Sequence, residues 1–556
     1  MKNINNIILV CFLAIITLGC SESKLDEYGP HLMSANNLYK NPEGFRLGLN
    51  GLYASARIEK IGYTSNKPTL HFTFVGTDIC FGLNYGSDVN KFGLEILPSN
   101  SHYEFMWSWL YQVINSANTI IIRAENPNVA WSGTEKQQVQ GEARFFRAWA
   151  YRHLVNLFGD VPLSLEEASG ANIKTDWVRT PVAEVRGYIL EDLQFAADNI
   201  SGVPNTTASN ITSWIAKHYL AELNMELGNN GEAAVLLQDI IDNSPYKLVT
   251  ERYGVDLGEP GDVFSDMFEM GNTNRNEGNT EVMWSFQTEY NVLGGDELWN
   301  RRYFGNRYDK LKIMGTDSVE VAPFKITVDR GGRGVADANP TVFMMQLYKP
   351  ANNAGTLNDD RASHHNWRLF YIFDSISGDV LPTGYNWGDT VWCHTDTYTY
   401  KDYLFAFSRK HDEAIEEDPR RHQGSKDWPY LRLAEVYLHL AEAQFKEGNL
   451  GGAVSSINTI RARANADPIT QADLSIDFLL DERARELFGE GHRRYHLLRN
   501  NKWMERTLLY NDAVNDKDPL GWGSIGPISP RDLLLPIPQT VIDANLDAVL
   551  PQNPGF

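Results

Sequence analysis

Apolar residues recur every fourth position from Glu104 to Glu125. Phe105, Trp109, Val113, Ala117 and Ile121 run down one face, with Met106, Leu110 and Ile114 beside them. This spacing predicts a long helix with one broad buried stripe. A second helix is predicted from Glu135 to Phe158. It stops at Gly159-Asp160-Val161-Pro162, because glycine takes the left-handed cap and proline cannot continue the helix. Two further helices are predicted to start near Pro181, whose missing N–H suits a first turn, and near Ile211.

When residues 211–243 are laid on residues 431–463, Leu220, Ala221, Glu222, Gly228, Asn229, Ala233 and Ile240 fall on Leu440, Ala441, Glu442, Gly448, Asn449, Ala453 and Ile460. Alanine lets two helices approach closely, and Gly-Asn suits the tight turn between them. The pattern is that of a tetratricopeptide-like helix hairpin, repeated at long range. Between the copies, residues 250–425 lose helical periodicity and become dense in Gly, Asn, Asp and Pro, with Trp and Tyr interleaved. Val282–Phe286 and Tyr403–Phe407 are short alternating runs that suggest strands. A long irregular insertion in a compact domain is usually functional. The expected fold is therefore mainly α: a helix-hairpin scaffold with an irregular, aromatic-rich insertion and a few short strands. Its expected divisions are a leader at 1–19, a helical region at 20–245, the insertion at 246–427 and a second helical region at 428–556, forming one compact mature domain.

The first residues change the picture. Lys2, the apolar run Ile7 to Leu18, and Thr17-Leu18-Gly19-Cys20 read as a lipoprotein signal, which makes Cys20 the expected lipid attachment point. No later segment approaches the roughly 20 apolar residues of a membrane span. Acyl chains at Cys20, at about 0.8 kcal/mol per buried CH₂, would hold a chain of net charge −21 that anionic lipid surfaces repel. The same charge disfavours nucleic acid, whose binders need a basic groove. Residues 21–30 are polar and acidic and look like a tether. Cys80 and Cys393 either pair or serve as small buried hydrophobes, and the second reading is favoured.

Candidate chemistry adds little that is catalytic. Glu142 with Arg144 and Arg147, and Glu482, Arg483, Glu486, Glu490 and Arg493, stand at helical spacings that ion pairs explain more economically than acid–base catalysis does. His492 and His496 are four apart without a third ligand in sight, so no metal is expected there. Gly521, Gly523 and Gly526 form G-x-G-x-x-G, but Pro527 and Pro530 stand where a phosphate-binding helix would begin. The acidic residues near 257–269 lack the alternation of a calcium loop. No cofactor is expected. What remains is the aromatic and amide-rich insertion, whose chemistry suits a sugar's apolar faces and hydroxyl rim. Trp299, Arg301, Tyr303, Tyr385, Trp387 and Trp392 are the candidate contacts.

Four segments carry a family resemblance: Gly141–Pro162; Arg432–Ala443 with Ile457–Arg463; Asp481–Arg493; and Leu535-Pro-Ile-Pro538 with Gln552-Asn-Pro-Gly-Phe556. In this order, behind a lipobox, they resemble the SusD/RagB family across nearly the whole mature chain. One departure is His496, where the family usually places an acidic residue. The resemblance implies a lipid-anchored, outward-facing binder on the outer membrane that captures oligosaccharide and delivers it to a SusC-like, TonB-dependent transporter. It also adds Asp78, Asn84 and Tyr85 as candidate glycan contacts, since the family contributes contacts before its first long helix. Competing expectations are a surface glycoside hydrolase working through two carboxylates and a peptide-binding or assembly scaffold.

Overall fold

The computed structural model describes residues 35–64, 67–82, 96–170, 172–295, 298–349, 358–395, 403–413, 418–421, 423–512 and 528–556. The first long helices are α1 (Pro42–Arg57), α2 (Ser101–Arg123), α3 (Glu135–Phe158), α4 (Val182–Asn199), α5 (Ser213–Glu226) and α6 (Asn230–Asn243). After the insertion come α7 (Leu433–Lys446), α8 (Leu450–Arg463), α9 (Ile476–Leu487), α10 (Arg493–Arg499) and α11 (Trp503–Tyr510). The predicted stripe of α2 is buried at Trp109, Val113, Ala117 and Ile121, and α3 ends at Gly159 with φ +75°.

Each helix packs on the next from α2 through α8, and α6 packs directly on α7. The two helix hairpins, far apart in sequence, are thus stacked as neighbours in one solenoid. Their shared pattern has a shared geometry. Gly228 and Gly448 turn at φ +82° and +79°, and the next amides, of Asn229 and Asn449, donate to Asn224 O at 2.8 Å and Gln444 O at 2.9 Å. Ala221, Ala233, Ala441 and Ala453 are fully buried where the helices cross.

The insertion leaves and returns at one place. Strand β2 (Val282–Phe286) runs antiparallel to β6 (Trp428–Arg432), with Trp428 opposite Phe286 and Arg432 opposite Val282, and β6 leads directly into α7. Both strands are buried at every position. Other short strands include β1 (Cys80–Phe81), which pairs with β3 (Asn339–Pro340), and β4 (Phe370–Ile372), which pairs with β5 (Thr390–Trp392). The run Tyr403–Phe407 differs from expectation, because only Phe407 joins a two-residue ladder, Phe407–Ser408. Leu404, Phe405 and Ala406 are buried as a continuous apolar stretch, whereas a half-exposed strand would alternate.

Charge is buried where insertion meets scaffold. Arg361 donates to Asp359 and Glu482, each at 2.8 Å, and to Glu486 at 3.1 Å. Glu486 also receives Arg432 and Arg463, and Arg432 reaches Glu281 and Glu490 as well. The acid–arginine spacings of α9 therefore serve ion pairs between elements. Arg144 and Arg147 likewise pair with Asp192 of α4, while Glu142 accepts from Tyr53. Removing one partner from such a set strands the others in a low-dielectric interior.

Cys80 and Cys393 are unbridged and buried. Burial pushes the Cys393 thiol up to about 12, as expected of a cysteine packed as a small hydrophobe.

Candidate functional site

In the paired strands β4 and β5, alternate side chains face opposite ways. Tyr371 points inward, stacks on Tyr308 with ring centroids 4.8 Å apart, and donates to Asn306 Oδ1 at 2.7 Å. Phe370 and Ile372 therefore face outward. Trp392 stands opposite Phe370, and their rings meet edge-on at 5.2 Å. The next outward ring is Trp387, in the loop that Gly388 returns to the strand by turning at φ +94°. The Gly388 amide donates to Phe373 O at 3.0 Å. Phe373 lies against Phe324 and meets Tyr385 edge-on at 5.3 Å.

Phe370, Ile372 and Trp387 border a cleft of about 470 Å³ with the turn at Asp374–Ser377, and Arg330 and Arg368 complete its lining; Trp392 and Tyr385 lie outside that lining. Arg330 forks onto Asp379 at 2.8 and 2.6 Å, and it also donates to Ile372 O, so the wall is held rigid. Arg368 donates to Asp412 at 2.8 Å and to Asp329 O at 3.1 Å. The Asp374 carboxylate receives the Ile376 amide at 2.7 Å and the Ser377 hydroxyl at 3.0 Å, and the Ile376 amide holds its pKa below the usual value. Open aromatic faces beside hydroxyls, carboxylates and a guanidinium form a surface that can stack a pyranose ring and bind its hydroxyl rim. A larger cleft, of about 850 Å³, lies between α4, α11 and the C-terminal segment. It offers no comparable platform, because its tryptophan, Trp503, is only 1% exposed.

Of the residues singled out in the sequence, Tyr385, Trp387 and Trp392 are 37%, 48% and 63% exposed and gather around β4 and β5. Four others are corrected by the structure. Asp78 is fully buried, receiving Arg493 at 2.9 and 2.6 Å and Arg506 at 2.7 Å. Burial pushes its pKa up, but the two guanidiniums outweigh that and hold it low. Asp78 thus anchors α10 and α11. Trp299 and Tyr303 are core rings, 6% and 1% exposed. Arg301 is buried and donates to the carbonyls of Gly331, Arg333 and Arg421. None of these four side chains is open to a ligand. Cys20, Asn84, Tyr85 and the glycines at 521–526 lie outside the described residues. The sequence reading missed Phe370, Ile372, Asp329, Asp374 and Arg368. The unbroken, mainly aromatic and β-branched run Leu369–Phe373 was the available signal for the first two, as a strand.

His492 and His496 do not share a site. His492 Nε2 meets Glu59 at 2.9 Å, while His496 Nε2 accepts from Arg483 at 2.9 Å. Three clusters of ligand-type side chains occur among the described residues: Glu59/His153/His492, His218/Glu435/His439 and Glu222/His439/His496. Each has a protein cation in or beside it. Lys60 lies 2.9 Å from Glu59, and Arg483 lies 2.7 Å from both Glu435 and His439. The imidazole at 496 is thus a neutral acceptor for Arg483 where a carboxylate was expected.

The model of the SusD family matches residues 384–556, and one described as starch-binding and associating with the outer membrane matches residues 71–225. SusD-like protein P25 of Formosa agariphila is 25% identical over 98% of this chain and 97% of its own. Starch-binding protein SusD of Bacteroides thetaiotaomicron is 34% identical over 132 residues, 23% of this chain and 22% of that one. Among solved structures, a SusD superfamily protein from Bacteroides vulgatus aligns with a TM-score of 0.66 at 21% identity, covering 93% of this chain and all of that one. A laminarin-binding SusD-like protein aligns at 0.64 and 20%, with the same coverage. Surface glycan-binding protein A of Bacteroides fluxus aligns at 0.65 and 18%, covering 92% and 99%. At these identities the structural likenesses establish a common fold.

Proposed function

The chain belongs to the SusD/RagB family, and from that premise we propose that it is a non-catalytic glycan receptor of the outer membrane. The observation that carries the reading is the outward platform of Phe370, Trp387 and Trp392 beside the cleft. Large rings left in solvent on a rigid strand pair are costly unless something covers them. The glycan ligands of its relatives make an oligosaccharide the natural occupant. Capture relies on stacking and hydrogen bonds that each net about 0.5–1.5 kcal/mol, so affinity falls between roughly millimolar and micromolar. Weak, reversible binding suits a carrier that passes its cargo to a SusC-like, TonB-dependent transporter. Acylation at Cys20 fixes the receptor to the membrane, and no helix among the described residues is long and apolar enough to cross it.

The test is a glycan array probed with the form lacking residues 1–20, followed by incubation of each bound glycan with the protein. Saturable binding without shortened products is expected. Turnover abolished by changing one Asp or Glu would replace the receptor with a hydrolase. Loss of membrane fractionation in Cys20→Ala, with labelled palmitate absent from the variant, tests the anchor.

A further inference from the structure

The cleft beside Trp387 has a charge pattern that narrows its ligand, an inference that rests on the glycan-receptor reading above. Its basic side chains are already committed. Arg330 is forked onto the buried Asp379, and Arg368 shares Asp412 with Arg409, which lies 2.9 Å from it. Arg330 and Asp379 form a neutral pair, while the two guanidiniums on Asp412 leave a single positive charge against the carboxylates of Asp329, Asp374 and Asp389. The acidic groups are not matched in this way. Asp329 is exposed at the cleft wall and makes no ion pair among the described residues. Asp374 faces the Ile376 amide and the Ser377 hydroxyl, and Asp389, beside Trp387, accepts the Asn386 amide at 2.8 Å. Neither makes an ion pair among the described residues.

We propose that this cleft selects uncharged glycan chains and excludes those carrying uronate or sulfate groups. The excluding residues are Asp329 and Asp374, with Asp389 at the rim. The physical basis is repulsion in a partly open, water-like site. A ligand anion roughly 6 Å from two unpaired carboxylates is disfavoured by about tenfold in affinity at low salt. The effect fades as the Debye length shrinks from about 30 Å at 0.01 M to about 3 Å at 1 M salt. Screening weakens exclusion as it weakens attraction, but the readouts have opposite signs: an anionic chain that is repelled at low salt should bind better at high ionic strength. The same carboxylates still accept hydrogen bonds from the hydroxyls of a neutral ring.

The experiment uses the form lacking residues 1–20 on an array carrying neutral, uronate-containing and sulfated oligosaccharides. Calorimetry at 0.01 and 1 M NaCl then compares the best neutral chain with its own C6-carboxylated derivative. The neutral chain should bind about tenfold or more tightly at low salt. The gap should close at high salt and should also narrow in the double variant Asp329→Asn/Asp374→Asn, which removes the charge and keeps one acceptor oxygen on each side chain. If the carboxylated chain binds as well as the neutral one at low salt, and Trp387→Ala weakens both, charge exclusion is overturned while the receptor reading stands. Absence of binding to every chain overturns both.

Discussion

Replacing Trp387 with alanine removes an open ring without disturbing the core. The side chain is 48% exposed, and a tryptophan presents up to roughly 250 Å² of surface, so about 120 Å² remains open to solvent. A sugar ring lying on one face covers about half of that, near 60 Å². At about 25 cal/mol per Å² this contributes about 1.5 kcal/mol, slightly more than tenfold in Kd. Trp392, 63% exposed and joined to the same surface through Phe370, should cost a similar factor. The double variant should lose about a hundredfold if both rings touch one ligand. Isothermal titration against the tightest array glycan measures this, with near-ultraviolet circular dichroism and the thermal midpoint as checks that the fold is retained. A Kd within twofold of the parent in a properly folded Trp387→Ala protein would refute the assignment of this platform as the binding surface.

Other outcomes follow from the buried charges and thiols. Glu486→Gln leaves Arg361, Arg432 and Arg463 without their shared carboxylate. It should cost about 3–5 kcal/mol in urea unfolding, and a loss below about 1 kcal/mol would show the hub to be dispensable. Burial pushes the pKa values of His153, His411, His439 and His496 well down, so the folded chain does not take up the protons that the unfolded chain binds below about pH 6.5. Their contribution to stability is complete above that pH and is lost as pH falls below it, by up to about 1.4 kcal/mol per pH unit for each imidazole. Burial also raises Glu222 and Glu482, but Arg152 and Arg361 outweigh it and hold both at about 2, so their contribution is lost between pH 4.5 and 2. Equal urea midpoints at pH 7.5 and 5.5 would contradict the imidazole part. In the form lacking residues 1–20, Ellman's reagent should find no reactive thiol in the folded protein and two, Cys80 and Cys393, after denaturation. Prompt reaction in the native state would show that one of them is exposed.

The sequence by itself determined the helices and the repeat. Trp109, Val113, Ala117 and Ile121 recur at helical spacing, Gly159 and Pro162 mark a stop, and Gly228-Asn229 matches Gly448-Asn449. Each of these is a local property of the backbone or of one buried stripe, so neighbouring residues suffice to show it. That the two hairpins stack on each other was not legible, because the contact of α6 with α7 depends on β2 and β6 drawing together the ends of a long insertion. The site was legible only in part, for a related reason. Aromatic content marked residues 250–425, but core rings and platform rings share one composition. Trp299 and Tyr303 turned inward, while Trp387 and Trp392 stayed in solvent. Likewise Asp78 looked like a sugar contact until Arg493 and Arg506, more than 400 residues along the chain, closed around it. Burial and pairing are properties of what lies across space, and in this insertion, where no period relates sequence to facing direction, only the tertiary structure decides which polar and aromatic groups remain open to a ligand.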